Sequence, residues 1–265
     1  MKIAIGTNYF GQYDRQTRAK GCLLKIKKQY SEVSIHDVKF NDEHFAPSTE
    51  ISTHPILTRS SRDMFPASKK RLPYINDIFD VLSTETDADY FIYTNSDILI
   101  SPKLIDYIKN HEDIKAMPCN RMDIYPIKSL NDNLIPYRWE IGGFDVFVLK
   151  TEWYKENRKY FEDFLMGSIW FDHHYAGVMK SLTNDKLGNM FPPFVLHEMH
   201  NKNWSYEDPE AIYNKKQWET CKYHNMSKRW DDYFASYLKN KRKNGFVMEC
   251  DDEEYQSELK FFKDQ

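Results

Sequence analysis

The chain has no hydrophobic run long enough to span a membrane, no CxxC pair, no internal repeat and no low-complexity linker. A membrane channel, a coiled coil, a collagen and a disulfide-framed secreted mini-protein are therefore excluded. Cysteine is scarce: Cys22, Cys119, Cys221 and Cys250 lie far apart in unrelated contexts. That spacing reads as reduced thiols rather than a disulfide frame or zinc knot. Charge of one sign is also missing, since 37 Lys and Arg stand against 40 Asp and Glu for a net of -3. Nothing electrostatic favours nucleic acid or an anionic membrane as a partner. Met1-Lys2-Ile3-Ala4-Ile5-Gly6 runs straight into strand-like sequence, so a signal peptide is not expected and a cytoplasmic location is. What the chain does have is aromatic mass: 6 Trp, 18 Tyr and 17 Phe in 265 residues. Rings in that number fill cores first and can also line clefts for sugars or bases.

Hydrophobic periodicity gives the organisation. Ile3-Ala4-Ile5 is a short apolar strand stopped by Gly6-Thr7-Asn8. Asp14 can cap a helix over 15–29 with Ala19, Cys22, Leu23 and Ile26 on one face. Val33 to Val38 alternates as a second strand, and this βαβ start favours a parallel sheet. Residues 41–72, with Pro47, Pro55 and Pro66, read as one long irregular connection. A helix is predicted over 73–83, a strand over 89–94, and a helix through residue 110 opened by Ser101 as cap and Pro102 at its first position. Strands at 114–119 and 145–149, helices at 153–164 and 172–182, and a last strand Phe194-Val195-Leu196 follow. The charged tail 231–265 has helical spacing. One α/β domain with a helical C-terminal extension is the simplest architecture.

In a parallel α/β sheet, ligands bind beyond the carboxyl ends of the strands. That rule selects Thr7 and Asn8 after the first strand, and Asn95-Ser96-Asp97 after Tyr90-Phe91-Ile92-Tyr93-Thr94. A carboxylate projecting there can hold Mg²⁺ or Mn²⁺ and leave coordination sites for a diphosphate. Equally, Asn-Ser-Asp can be a turn and cap sequence.

The stretch from Tyr90 to Ile98 resembles the metal-binding segment of GT-A fold glycosyltransferases, where a hydrophobic strand delivers an Asp-x-Asp or a relaxed variant to a nucleotide-sugar diphosphate. Here Asn95 replaces the first acid and Asp97 is the remaining carboxylate. The segment Arg71-Leu72-Pro73-Tyr74-Ile75-Asn76-Asp77-Ile78-Phe79-Asp80 is similar to bacterial members of that group, and the resemblance covers residues 1–205. It implies a GT-A-like, mostly parallel central sheet flanked by helices over 1–205, with 206–265 as a helical extension packed on it. It further implies metal-assisted transfer of a sugar from a nucleotide-diphosphate donor to a hydroxyl of a glycan or other acceptor, with Mn²⁺ or Mg²⁺ as cofactor.

Further residues take roles in that picture. Gly142 and Gly143 permit close approach of backbone to a ligand, or form a tight turn. Asp172 is either a helix cap or, by the resemblance, the general base of an inverting enzyme. Of the adjacent His173 and His174, at most one can face a ligand from a helix. The resemblance makes His197, directly after the last strand, the first choice as a further metal ligand and His200 the second. The cationic run Arg59, Arg62, Lys69, Lys70 and Arg71 offers phosphate partners, with Arg59 and Lys70 as candidates. Two rival readings are a non-catalytic binding module that lost its acid at Asn95, and a sugar nucleotidyltransferase. The latter usually has a glycine-rich basic loop after its first strand, and Gly6-Thr7-Asn8-Tyr9-Phe10-Gly11 is poor in both features.

Overall fold

The computed structural model describes residues 1–9, 13–132, 134–183, 194–201 and 204–228. The helix pair expected over 231–265 lies outside the described residues, as does Cys250; Cys22, Cys119 and Cys221 are buried free thiols.

Eight strands form one sheet in the order β3-β2-β1-β4-β7-β6-β8-β5. β1 (Ile3–Thr7), β2 (Val33–Phe40), β3 (Ser52–Leu57) and β4 (Tyr90–Thr94) are parallel neighbours, the βαβ half that the N-terminal sequence predicts. The other half is mixed. β7 (Pro136–Lys150) runs antiparallel to β4 and to β6 (Ala116–Ile124). β8 (Val195–Glu198) is parallel to β6, and β5 (Ile98–Ile100) closes the edge antiparallel to β8.

Several expectations are corrected. The 41–72 stretch is not one irregular connection: it holds β3 and a short helix α2 (Ser61–Met64). Pro55 hid the strand, but β3 is an edge strand, where a missing N–H costs no ladder bond. Gly6 does not stop β1 but belongs to it, and a Cβ there would meet the Leu82 side chain at 2.3 Å, which is why the position takes glycine. Asp14 does not cap α1 (Asp14–Gln29): Tyr13 is the cap residue and Asp14 lies in the first turn, where its charge suits the helix dipole. α4 (Lys103–Asn110) starts one residue late, with Ser101 Oγ still accepting the Lys103 N–H at 3.2 Å. The helix expected over 153–164 is α5 (Thr151–Asn157) followed by a 3₁₀ turn, Arg158–Tyr160.

The aromatic residues mostly pack the core. Alternation along β4 sends Phe91 and Tyr93 to one face and Tyr90 and Ile92 to the other. On the first face Phe79 of α3 (Ile75–Thr84) meets Phe91, Tyr93 and Tyr175 with ring centroids 5.5 Å apart. Tyr175 belongs to α6 (Phe171–Thr183). The opposite face is aliphatic, with Leu23 and Ile26 of α1 and Leu104, Ile105 and Ile108 of α4 against Ile3, Ile5 and Ile92.

α7 (Pro209–Thr220) and the residues after it are bound to this framework by buried polar contacts. Asn214 donates to Leu165 O and Ile169 O at 2.9 Å and accepts the Leu165 N–H at 2.9 Å. A Cβ on Gly177 would stand 2.4 Å from Met226 O, so α6 touches backbone there. Gly177→Ala is therefore expected to destabilise by about 1–3 kcal/mol through overpacking, read as a lower unfolding midpoint in urea.

His174 is fully buried, with Nε2–H toward Tyr160 O at 3.2 Å and Nδ1 accepting from Ser227 Oγ at 2.7 Å. Burial pushes its imidazole down to about 4. Burial also pushes His36 down to about 4, with His54 and Lys27 adding to the effect. Between the ordinary histidine value of about 6.5 and the folded value, the unfolded chain binds protons that the folded one refuses. Stability is thus complete above about pH 6.5 and falls as pH drops toward 4, by something on the order of 3 kcal/mol for His174. Urea melts across that window should show the slope, and His174→Gln should remove the share that His174 supplies.

Candidate active site

The C-terminal ends of β1, β2 and β4 meet on one rim. Asn8 donates from Nδ2 to Val38 O at 2.5 Å, tying the end of β1 to β2. Asp37 accepts the Tyr9 N–H at 3.0 Å, while Lys39 reaches Tyr9 O at 2.6 Å. Thr7 Oγ1 is buried on this rim without a partner among the described residues.

Next to this rim, three side chains from two segments converge. Asp97 follows β4; His197 lies inside β8 rather than after it as expected, one residue before its end at Glu198, and His200 lies just beyond the strand. His200 Nε2 lies 3.2 Å from Asp97 Oδ2 and 3.3 Å from His197 Nε2. All three ligand atoms fall within 4.8 Å of one another. Donors held about 2.0–2.2 Å from one cation lie roughly this far apart.

The other ring nitrogens make the arrangement specific. His197 Nδ1 faces Asp123 Oδ1 at 2.9 Å, and His200 Nδ1 faces Asn201 O at 2.7 Å. Both acceptors lack a hydrogen, so both Nδ1 atoms donate, which leaves His200 Nε2 facing Asp97 and His197 Nε2 facing His200 within the cluster. Burial works against ionisation of Asp97, but hydrogen bonds from His200 and Arg15 and the nearby His197 outweigh it, holding the carboxyl well below its usual range. The same hydrogen bond raises His200.

Arg15, which sequence reasoning missed, donates from Nε to Asp97 Oδ2 at 3.0 Å. Its place in the first turn of the helix that follows β1 was the available signal. Beside the cluster opens a cleft of about 420 Å³, lined among others by Tyr13, Arg15, Arg18, Lys128, Glu198 and His200. That volume suits a small ligand. Arg18 grips Glu198 with both arms, Nε to Oε2 at 3.0 Å and Nη2 to Oε1 at 2.6 Å.

Other predicted site residues have different employment. Asn95 does not turn its amide oxygen toward a metal: it accepts the Tyr93 hydroxyl at 2.8 Å, while Nδ2 donates to Asp145. Ser96 accepts from Gln16 at 2.8 Å and so anchors α1 to the rim. Arg59 is paired with Asp77 and Asp163 and stacks over Tyr74; Lys70 is paired with Asp208 at 2.6 Å. These two cations neutralise the protein's own acids, and no contact brings them to Asp97. Gly142 and Gly143 lie inside β7, not in a turn.

Asp172 is the second residue of α6, partly buried, and accepts the Phe144 N–H at 3.4 Å. It is not a cap. Burial raises its carboxyl, nearby Asp145 adds to the rise, and His173 together with backbone N–H groups partly opposes it. A carboxylate of raised pKa is a better proton acceptor. Just before it, Trp170 has φ 76°, a left-handed conformation costly for a non-glycine residue. His174 turns into the core, which leaves His173 as the imidazole beside Asp172.

Solved structures resemble this arrangement of chain. S. aureus TarS 1–349 in complex with UDP-GlcNAc superposes with a TM-score of 0.50 and 13% identity, over 99% of this chain and 80% of that one. Such a match across nearly the whole chain, on a sheet half parallel and half mixed, decides the fold. The fold is GT-A-like. Another S. aureus TarS 1–349 structure matches with a TM-score of 0.45 and 11% identity over 75% of this chain. The glycosyltransferase GlyE of Streptococcus pneumoniae TIGR4 gives 0.39 and 10% over 88%. The chain spans 60% and 64% of those two, less than two thirds of each. No family model and no curated protein matches the chain. Within this GT-A-like sheet Asp97 follows β4, and no helix among the described residues is long and apolar enough to cross a membrane.

Proposed function

We propose that the protein is a glycosyltransferase that moves a sugar from a nucleotide-diphosphate donor to a hydroxyl of a glycan or other acceptor, with inversion at the anomeric carbon. The observation that carries the reading is the convergence of His197 Nε2, His200 Nε2 and Asp97 Oδ2 at the sheet rim, with both Nδ1 atoms already tied to oxygen acceptors. Those three residues would hold a divalent cation, which would neutralise charge on the departing nucleoside diphosphate. Two imidazoles in the donor set favour Mn²⁺ over Mg²⁺, which prefers oxygen and retains its waters. Thr7, Asn8 and Asp37 would receive the nucleoside end of the donor. Asp172 would take the acceptor proton as the new bond forms.

UDP-GlcNAc, bound in the TarS structure, is the first donor to test. Thermal unfolding with and without Mn²⁺ should show stabilisation that needs both components, about 2.7 kcal/mol with ligand at a hundred times its dissociation constant. No stabilisation by any nucleotide sugar with Mn²⁺ would defeat the reading. A second reading, a donor-binding module without turnover, has one observation in its favour: Asn95 replaces an acid and is fully engaged with Tyr93 and Asp145. Mn²⁺-dependent release of UDP from UDP-GlcNAc supports the enzyme; donor binding without release supports the module.

A further inference from the structure

We infer that Asp123, braced by Arg121, is a positioning residue that sets the tautomer of His197. The inference rests on the proposed role of His197 as a ligand. Asp123 lies on β6 directly opposite His197 in the parallel register with β8, and is 2% exposed. Its Oδ1 faces His197 Nδ1 at 2.9 Å and receives Arg121 Nε–H at 3.0 Å.

An imidazole has two nitrogens and, when neutral, one proton. A fixed acceptor beside Nδ1 holds the proton there, so the lone pair is on Nε2, the atom 3.3 Å from His200 Nε2. Remove the acceptor and the proton can sit on Nε2, where it would face the cation. The carboxylate also makes the imidazole a stronger donor and fixes the ring plane.

A carboxylate this buried needs a cation beside it, and Arg121 supplies one. The guanidinium is itself clamped. Its Nη1 donates to Asp145, which Asn95 holds from the other side, and Asn95 is held in turn by Tyr93. Tyr93, Asn95, Asp145, Arg121, Asp123 and His197 thus form one hydrogen-bonded chain across β4, β7, β6 and β8. This gives Asn95 a function that the metal-motif reading did not: it orients the acid at the centre of the chain.

The test uses Mn²⁺ alone, titrated into the full chain, with free Mn²⁺ followed by its electron paramagnetic resonance and nitrogen ligation by spin-echo modulation. Asp123→Leu should weaken Mn²⁺ binding by about 10- to 100-fold and remove one of two imidazole nitrogens from the modulation. Asp123→Asn keeps an oxygen that can accept Nδ1–H, so it should retain both nitrogens and lose less affinity than the leucine variant. If leucine prevents folding, the asparagine variant should still bind Mn²⁺ more weakly than the native chain. His197→Ala separates the two layers of the argument. If it weakens Mn²⁺ binding while folded Asp123 variants bind like the native protein, Asp123 is purely structural and the inference fails alone. If His197→Ala binds Mn²⁺ like the native protein, the ligand assignment fails and the inference falls with it.

Discussion

Asp97→Ala is expected to abolish Mn²⁺-dependent donor binding while leaving a folded protein. Asp97 is the single carboxylate of the three-residue cluster, so its loss leaves two imidazoles that carry no negative charge toward a cation. Arg15, which donates to Asp97 at 3.0 Å, would then stand beside the site without that partner and repel the ion further. Loss of an outer residue around a metal costs about 10- to 100-fold in affinity, so loss of a ligand that also balances Arg15 should exceed about 100-fold. The fold should survive, because the side chain packs no hydrophobic cluster and Arg15 can turn to solvent. The released ion pair should appear as a modest drop in thermal midpoint. Isothermal titration with UDP-GlcNAc at saturating Mn²⁺ checks the expectation, and unchanged donor affinity would remove Asp97 from the site.

How much of this was legible before the structure depends on whether a feature is contiguous. Tyr90 to Asp97 could be read because strand, rim and carboxylate follow one another within eight residues, and His197 because it directly follows apolar residues. β5 could not, since a three-residue strand right after Asp97 looks like the approach to a helix. β3 was hidden by Pro55, whose tolerance depends on its being at the edge, a fact of sheet order rather than of sequence. The residues that brace the site were out of reach for a deeper reason. Asp123 meets His197 only because β6 and β8 are parallel neighbours in one register, 74 positions apart in the chain. For Arg59 and Lys70 the converse holds: a cationic run invites a phosphate, and only the fold reveals that Asp77, Asp163 and Asp208 are paired with them.

The second large effect is expected at Asp172. Asp172→Asn should cut turnover by about 10²- to 10⁴-fold, the usual contribution of a general base, with donor affinity barely changed. The substitution is nearly isosteric, and the asparagine oxygen can still accept the Phe144 N–H that Asp172 receives at 3.4 Å. What it cannot do is accept a proton from the acceptor hydroxyl. A helix-terminus role is the rival explanation. Asp172 sits in the first turn of α6, where a negative charge near the helix N-terminus is worth about 0.3–1 kcal/mol. That loss would appear in the unfolding midpoint and leave kcat untouched, so the two roles separate in one variant. The carboxyl is raised mainly by burial, with Asp145 adding to it, so on the proposed role the transfer rate of the native protein should fall as pH drops through that raised value. The asparagine variant should lose that acid limb. Near-normal kcat in Asp172→Asn, or a product that keeps the donor's anomeric configuration, would defeat the assignment of Asp172 as base.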